Sequence, residues 1–170
     1  MRDAVIVGAV RTPIGKRGGG LAGIHPVDLS AHVLAALVER TGIDPADVED
    51  VIWGCLSQVG EQAWNIGRSA VLAAGWPESV PATTVDRQCG SSQQAVHLAA
   101  ATVIAGQADL VIAGGVESMS RWRGGIAPNI AYTLALLGEH PRLMATAGED
   151  FSEYGRTAER VPISAILPVR

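Results

Sequence analysis

The sequence predicts an α/β fold in which a largely parallel sheet is covered by helices on both faces. Two observations predict it. Short apolar runs alternate with longer helical stretches, in the order β-α-β-α-β-α-β over the first 118 residues. The short runs are near-continuously apolar, which is how parallel strands read when both faces are buried. Composition agrees: of 170 residues, 48% are hydrophobic and 20 are glycine, while aromatics reach only 4%. Such a chain builds its core from Ala, Val, Leu and Ile, and it is long enough to bury one.

The elements follow in order. Residues 3–10, DAVIVGAV, are β-branched and apolar and read as a first strand. The Gly-rich run 11–23 is a loop, and it lacks the Gly-Lys-Ser/Thr ending of a phosphate-binding loop. Pro26 suits a first helical position and Asp28 a first turn; Leu29, Val33, Ala36 and Leu37 share a face, and Gly42 can end the helix. Asp44 caps a short turn that starts at Pro45. Residues 50–55 are a second strand, 62–75 a helix ending at Gly75-Trp76-Pro77, and 81–86 a third strand. Residues 91–105 read as a helix that is apolar nearly all round, so burial on every side is expected. Residues 109–118 are a fourth strand. Beyond Arg121 the signal weakens, with a helix expected over 129–139 and a polar, turn-like stretch from 148 to 160. The chain therefore divides into a core, 1–121, and a diverged tail, 122–170.

Charge and cysteine usage exclude several functions. The net charge is −4 and the basic residues are scattered, so no basic stripe offers itself to nucleic acid. No apolar run approaches the roughly 18 residues of a membrane span, and the apolar start is too short for a secretion signal. Two cysteines make no disulfide framework and point to a reducing, cytoplasmic setting.

One of the two, Cys89, follows the third strand and opens the long helix. Free backbone N–H groups and the positive helix end favour a thiolate there. Gly90 permits close approach by a ligand, and the same N–H groups can stabilise charge developing on a carbonyl oxygen. A thiolate beside such donors suits covalent acyl transfer. Arg87, Gln88 and Ser91 flank it with polar groups. Cys55 ends an apolar strand and is expected to pack in the core.

Residues 85–121, VDRQCGSSQQAVHLAAATVIAGQADLVIAGGVESMSR, resemble the nucleophile region of the thiolases, the acetyl-CoA acetyltransferase family. VRTPIGKRGGGL (10–21) and VIWGCLSQVGEQAWNIGR (51–68) resemble that family's N-terminal segments in the right order. The resemblance covers roughly the first 120 residues. It implies one half of a two-half fold, each half a mixed, mostly parallel five-stranded sheet between helices; the fifth strand would lie in the tail. It implies that Cys89 takes an acyl group from acyl-CoA as a thioester, which a second acyl-CoA attacks in a Claisen condensation. The reverse is CoA-dependent cleavage of a 3-ketoacyl-CoA, as in fatty-acid β-oxidation. Coenzyme A thioesters are then substrates, no metal or cofactor is required, and a homodimer forms beside the strand at 81–86. A ketoacyl-synthase-like condensing enzyme is the neighbouring alternative, and the wording DRQCGSSQQA and GGVESMS fits the thiolases better.

The family's other motifs, Gly-His-Pro, Cys-x-Gly-Gly and Asn-Glu-Ala-Phe, do not occur in these 170 residues. GEHPR (138–142) matches the first only superficially, with Glu139 inserted, and His25, His32 and His97 have no acyl-transfer motif around them. The expectation is a truncated product, a fragment, or an enzyme whose second half is a separate chain. The alternative function is therefore a truncated, catalytically incompetent thiolase-like protein that serves only as a dimerisation module or is a non-functional product.

Overall fold

The central strand explains the arrangement of everything around it. In the computed structural model, which describes residues 3–119 and the backbone of 146–147 and 167–168, strand β1 (Asp50–Gly54) is flanked by β2 (Ala82–Val85) and β3 (Val111–Gly115). The order is β2-β1-β3 and both pairings are parallel. Parallel neighbours require crossovers, and helices α2 (Ile66–Ala73) and α3 (Ser91–Ile104) provide them. Helix α1 (Pro26–Thr41) precedes the sheet.

The pleat sends alternate β1 side chains to opposite faces. Val51, Trp53 and Cys55 join Leu34, Ile66, Ala70, Val71, Trp76 and Val80 in one buried cluster. Ile52 joins Ala95 and Ala99 in the other. Both faces are thus covered, as the continuous apolar run of β1 requires, and each fully buried aliphatic side chain contributes about 1.5–3 kcal/mol.

Local signals set the helix ends. Pro26 opens α1, where a missing N–H costs nothing, and the His25 imidazole accepts from Val27 N–H. Gly42, at φ 70°, closes it and donates to the Val38 carbonyl. Asp44 caps the short turn Pro45–Asp47. Helix α2 starts at Ile66, later than the periodicity predicts, because Asn65 caps it by accepting from Arg68 N–H. The same Asn65 donates to the Ala82 carbonyl and accepts from the Thr84 hydroxyl, tying the start of α2 to β2.

Two expectations are corrected. Residues 3–10 form no strand ladder, and Val5, Ile6 and Val7 are 76, 83 and 68% exposed. The run has strand-forming residues, but a strand exists only by pairing, and no described residue pairs with it. Its anchorage is at the far end, where the Arg40 guanidinium donates to the Ala9 carbonyl. Helix α3, in turn, is not buried all round. Ser91, Ala95 and Ala99 are its buried residues, while Val96, Leu98 and Ile104 are exposed. Only the small-residue stripe meets the sheet. The sheet among the described residues therefore has three strands rather than five. The expected fifth strand, the helix at 129–139 and His140 lie outside the described residues.

The chain divides into two units, Met1–Ser118 and Met119–Arg170. In the second, Thr146–Ala147 and Leu167–Pro168 form a short parallel pair.

Helix α3 reaches the sheet unusually closely. A Cβ on Gly54 would fall on the Ser91–Ser92 peptide, and one on Gly115 would fall on the Ser92 hydroxyl and the Gly54 carbonyl. Backbone cannot yield as a flexible side chain can. Gly54→Ala is therefore expected to lower the unfolding free energy by about 1–3 kcal/mol, read as a lower urea midpoint; an unchanged midpoint would show that α3 can stand off.

Candidate active site

Strand β2 ends at Val85, and α3 begins at Ser91. The five residues between them carry Cys89, a free and solvent-exposed thiol. The predicted placement of this cysteine between strand and helix is thus the placement in the fold. Gly90 is the N-cap and offers no side chain, so the first N–H groups of α3 have no side-chain cap. Backbone N–H groups at a helix start favour negative charge nearby, and of these the Ser91 N–H is taken by the Gln88 carbonyl.

The turn is built by hydrogen bonds over a few residues. Gly90 N–H donates to the Arg87 carbonyl at 3.0 Å, and Ser91 N–H to the Gln88 carbonyl at 3.2 Å. The Asp86 carboxylate accepts from Gln88 N–H at 2.7 Å. The Ser91 hydroxyl accepts from Arg87 N–H at 3.0 Å and donates to the Gln88 carbonyl at 2.7 Å. The Arg87 guanidinium donates to the Gln94 amide oxygen. Of the polar neighbours noted in the sequence, Arg87, Gln88 and Ser91 all build the turn. Asp86 was missed, though an Asp two residues before a tight turn is a recognisable signal.

A second network joins the loop after β1 to the end of β3. The Glu117 carboxylate accepts from Leu56 N–H at 3.0 Å, Ser57 N–H at 3.4 Å and the Gln62 amide at 2.9 Å. Gln62 is buried, and its oxygen accepts from Ser118 N–H at 2.6 Å. Nothing local predicts this set, because its partners are 55 to 61 residues apart.

Cys55 is the other kind of cysteine. It is 1% exposed, and its N–H donates to the Val85 carbonyl. Burial pushes its thiol up from about 9 to about 12, the Glu117 and Asp86 carboxylates add to the rise, and a backbone hydrogen bond at Ser57 opposes it. It stays a neutral core thiol, as its apolar setting predicts. Among the described residues, no three His, Cys, Asp or Glu side chains are grouped to hold a metal ion, and no helix is long and apolar enough to cross a membrane.

Comparison with known proteins places this arrangement. The family described as "Thiolase, N-terminal domain" matches residues 4–152. The chain belongs to the thiolase family. It is similar to a steroid 3-ketoacyl-CoA thiolase of Mycobacterium tuberculosis, 58% identical over 121 residues that cover 71% of this chain and 30% of that one. It is similar also to a 3-ketoacyl-CoA thiolase of Erwinia tasmaniensis, 41% identical over 155 residues that cover 85% and 40%. The crystal structure of an acetyl-CoA acetyltransferase of Bacillus anthracis superposes with a TM-score of 0.67 at 45% identity, covering 71% of this chain and 30% of that one. This thiolase chain thus spans 30–40% of the length of these relatives. The family match also runs past Arg121, further than the motif at 85–121 alone would carry it.

Cys55 makes a pH prediction. Its pKa is raised on folding, so its contribution to stability is intact below about pH 9 and is lost as pH rises towards about 12. In that window the unfolded chain gives up a proton that the folded chain keeps. Urea unfolding should show stability falling with pH more steeply than in Cys55→Ala, by at most about 1.4 kcal/mol per pH unit. Equal slopes in the two proteins would show that the thiol ionises in place.

Proposed function

We propose that Cys89 is the acyl-accepting nucleophile of a thiolase-type acyltransferase, acting on acyl-CoA. The observation that carries this reading is an exposed thiol beside the start of α3, which has no side-chain cap, in a chain of the thiolase family. In the step assigned to this chain, Cys89 Sγ bonds to the thioester carbonyl carbon and the C–S bond to coenzyme A breaks. The electron pair of that bond and the thiol proton leave with the CoA sulfur. During attack the carbonyl oxygen gains negative charge, and N–H groups at a helix end are suited to receive it. The acyl-cysteine then serves as the electrophile of a Claisen condensation. In the reverse direction Cys89 attacks the 3-keto carbon of a 3-ketoacyl-CoA, and an acyl-CoA shortened to two carbons leaves with the thiol proton. Free coenzyme A then takes the acyl group from the cysteine and returns a proton to its sulfur.

The deprotonating groups for the second acyl-CoA belong to motifs outside these 170 residues, so complete turnover requires a further chain segment or a partner chain. Coenzyme A thioesters are the substrates, and no separate cofactor enters the step. Two unpaired cysteines suit a reducing cytoplasm. Fatty-acid or related acyl metabolism is the setting that names such as 3-ketoacyl-CoA thiolase support.

A second reading is a catalytically incompetent, dimerising module. The exposed apolar residues Val5, Ile6 and Val7, with Val96, Leu98 and Ile104 on α3, favour it, since such surface is ordinarily covered. Incubating the purified chain with acetyl-CoA and recording its intact mass separates the two. Acyl transfer predicts a gain of one acetyl group in the wild type and none in Cys89→Ala. A folded wild-type chain that gains nothing overturns acyl transfer by this chain and leaves the module.

A further inference from the structure

We infer that Asp86 and Ser91 are positioning residues whose side chains clamp the turn at Gln88 and so deliver Cys89 to the open end of α3. The inference rests on Cys89 being the nucleophile and goes beyond that reading by naming what places it.

Gln88 has φ 48°, in the left-handed region that residues with a side chain seldom adopt. Such a conformation persists only where its surroundings hold it, and a glutamine has no intrinsic reason to choose it. Asp86 Oδ1 takes the Gln88 N–H. Ser91 Oγ accepts from the N–H of Arg87 and donates to the carbonyl of Gln88. The two side chains therefore engage both peptide groups that flank Gln88 Cα, one from each side of the turn.

The other half of the geometry is immovable. The Ser91–Ser92 peptide is seated against Gly54, and Ser92 Oγ against Gly115, so the first turn of α3 is fixed to the sheet. Val85 is likewise fixed, since it lies in register with Gly54 and its carbonyl takes the Cys55 N–H. With both ends of the turn set by the sheet, the conformation at Gln88 decides where the next residue's thiol lies. Were φ at Gln88 to relax to a negative value, Cys89 would leave the helix end while the fold stayed intact. Ser91 is buried, so its hydroxyl is sheltered from competing water, whereas Asp86 is exposed and contributes nothing to the core.

Alkylation of the full 170-residue chain by iodoacetamide, with the modified site assigned by peptide mass, tests this without requiring turnover. Buried Cys55 is an internal reporter of unfolding. Wild type should label at Cys89 and not at Cys55. Asp86→Ala and Ser91→Ala should each slow labelling of Cys89 about two- to fivefold, with Cys55 still protected. Asp86→Asn keeps the acceptor without its charge and should label at the wild-type rate, as should Ser91→Thr. A purely structural role would show instead as labelling of Cys55, with no rescue by the conservative variants. If Ser91→Ala exposes Cys55, Asp86→Ala on the surface decides. Wild-type labelling of Cys89 in folded Asp86→Ala overturns the inference. The alkylation pattern without acetyl gain from acetyl-CoA would retain the clamp and overturn acyl transfer; acetyl gain without the pattern would do the reverse.

Discussion

The contact between the first turn of α3 and two glycines of the sheet is the constraint on which the rest of the structure depends. Gly54 and Gly115 sit on adjacent parallel strands, in register with each other. Each lacks the Cβ that would collide with Ser91 or Ser92. The helix can therefore lie directly on the backbone, and Ala95 and Ala99 extend the same small-residue stripe along it. Interiors pack at near-crystalline density, so such an approach admits little adjustment. A thiol presented at that helix end inherits the rigidity of the sheet. Placement of this kind is what a covalent step needs, because a reacting atom must be held before it reacts.

The two cysteines show how far position outweighs residue type. Cys55 and Cys89 follow adjacent strands of one sheet. Cys55 continues the alternation of β1 into the buried cluster, where an ionised sulfur would lose its water and face the Glu117 and Asp86 carboxylates. Cys89 is exposed, past the strand and before a helix with no side-chain cap. The fold keeps one sulfur neutral and exposes the other.

Legibility followed the range of the interactions concerned. Helix α1 was readable to its ends because Pro26, Asp28 and Gly42 act within a turn of themselves. The cap at Asp44 and the three central strands were readable for the same reason: capping, pleat and burial leave local patterns. The run at 3–10 has strand composition but no described partner, and pairing is not a property of one segment. The exposure of Val96, Leu98 and Ile104 was equally hidden, because an apolar surface does not say what covers it. Gln62 and Glu117 read as ordinary polar residues until the loop after β1 meets the end of β3. Asp86 had a local signal, and it lay beside a more conspicuous motif.

The sequence by itself determined the α/β class, the strand and helix order from residue 26 to residue 115, the junction that carries Cys89, and the resemblance to the thiolases. All of these rest on periodicity, capping and the spacing of a motif along one segment. Only the tertiary structure decided that Gly54 and Gly115 seat α3, that Asp86 and Ser91 close on Gln88, and that Cys55 is sealed while Cys89 is open. Those outcomes depend on which distant backbones come within contact distance, and a linear pattern carries no record of that until the sheet has formed.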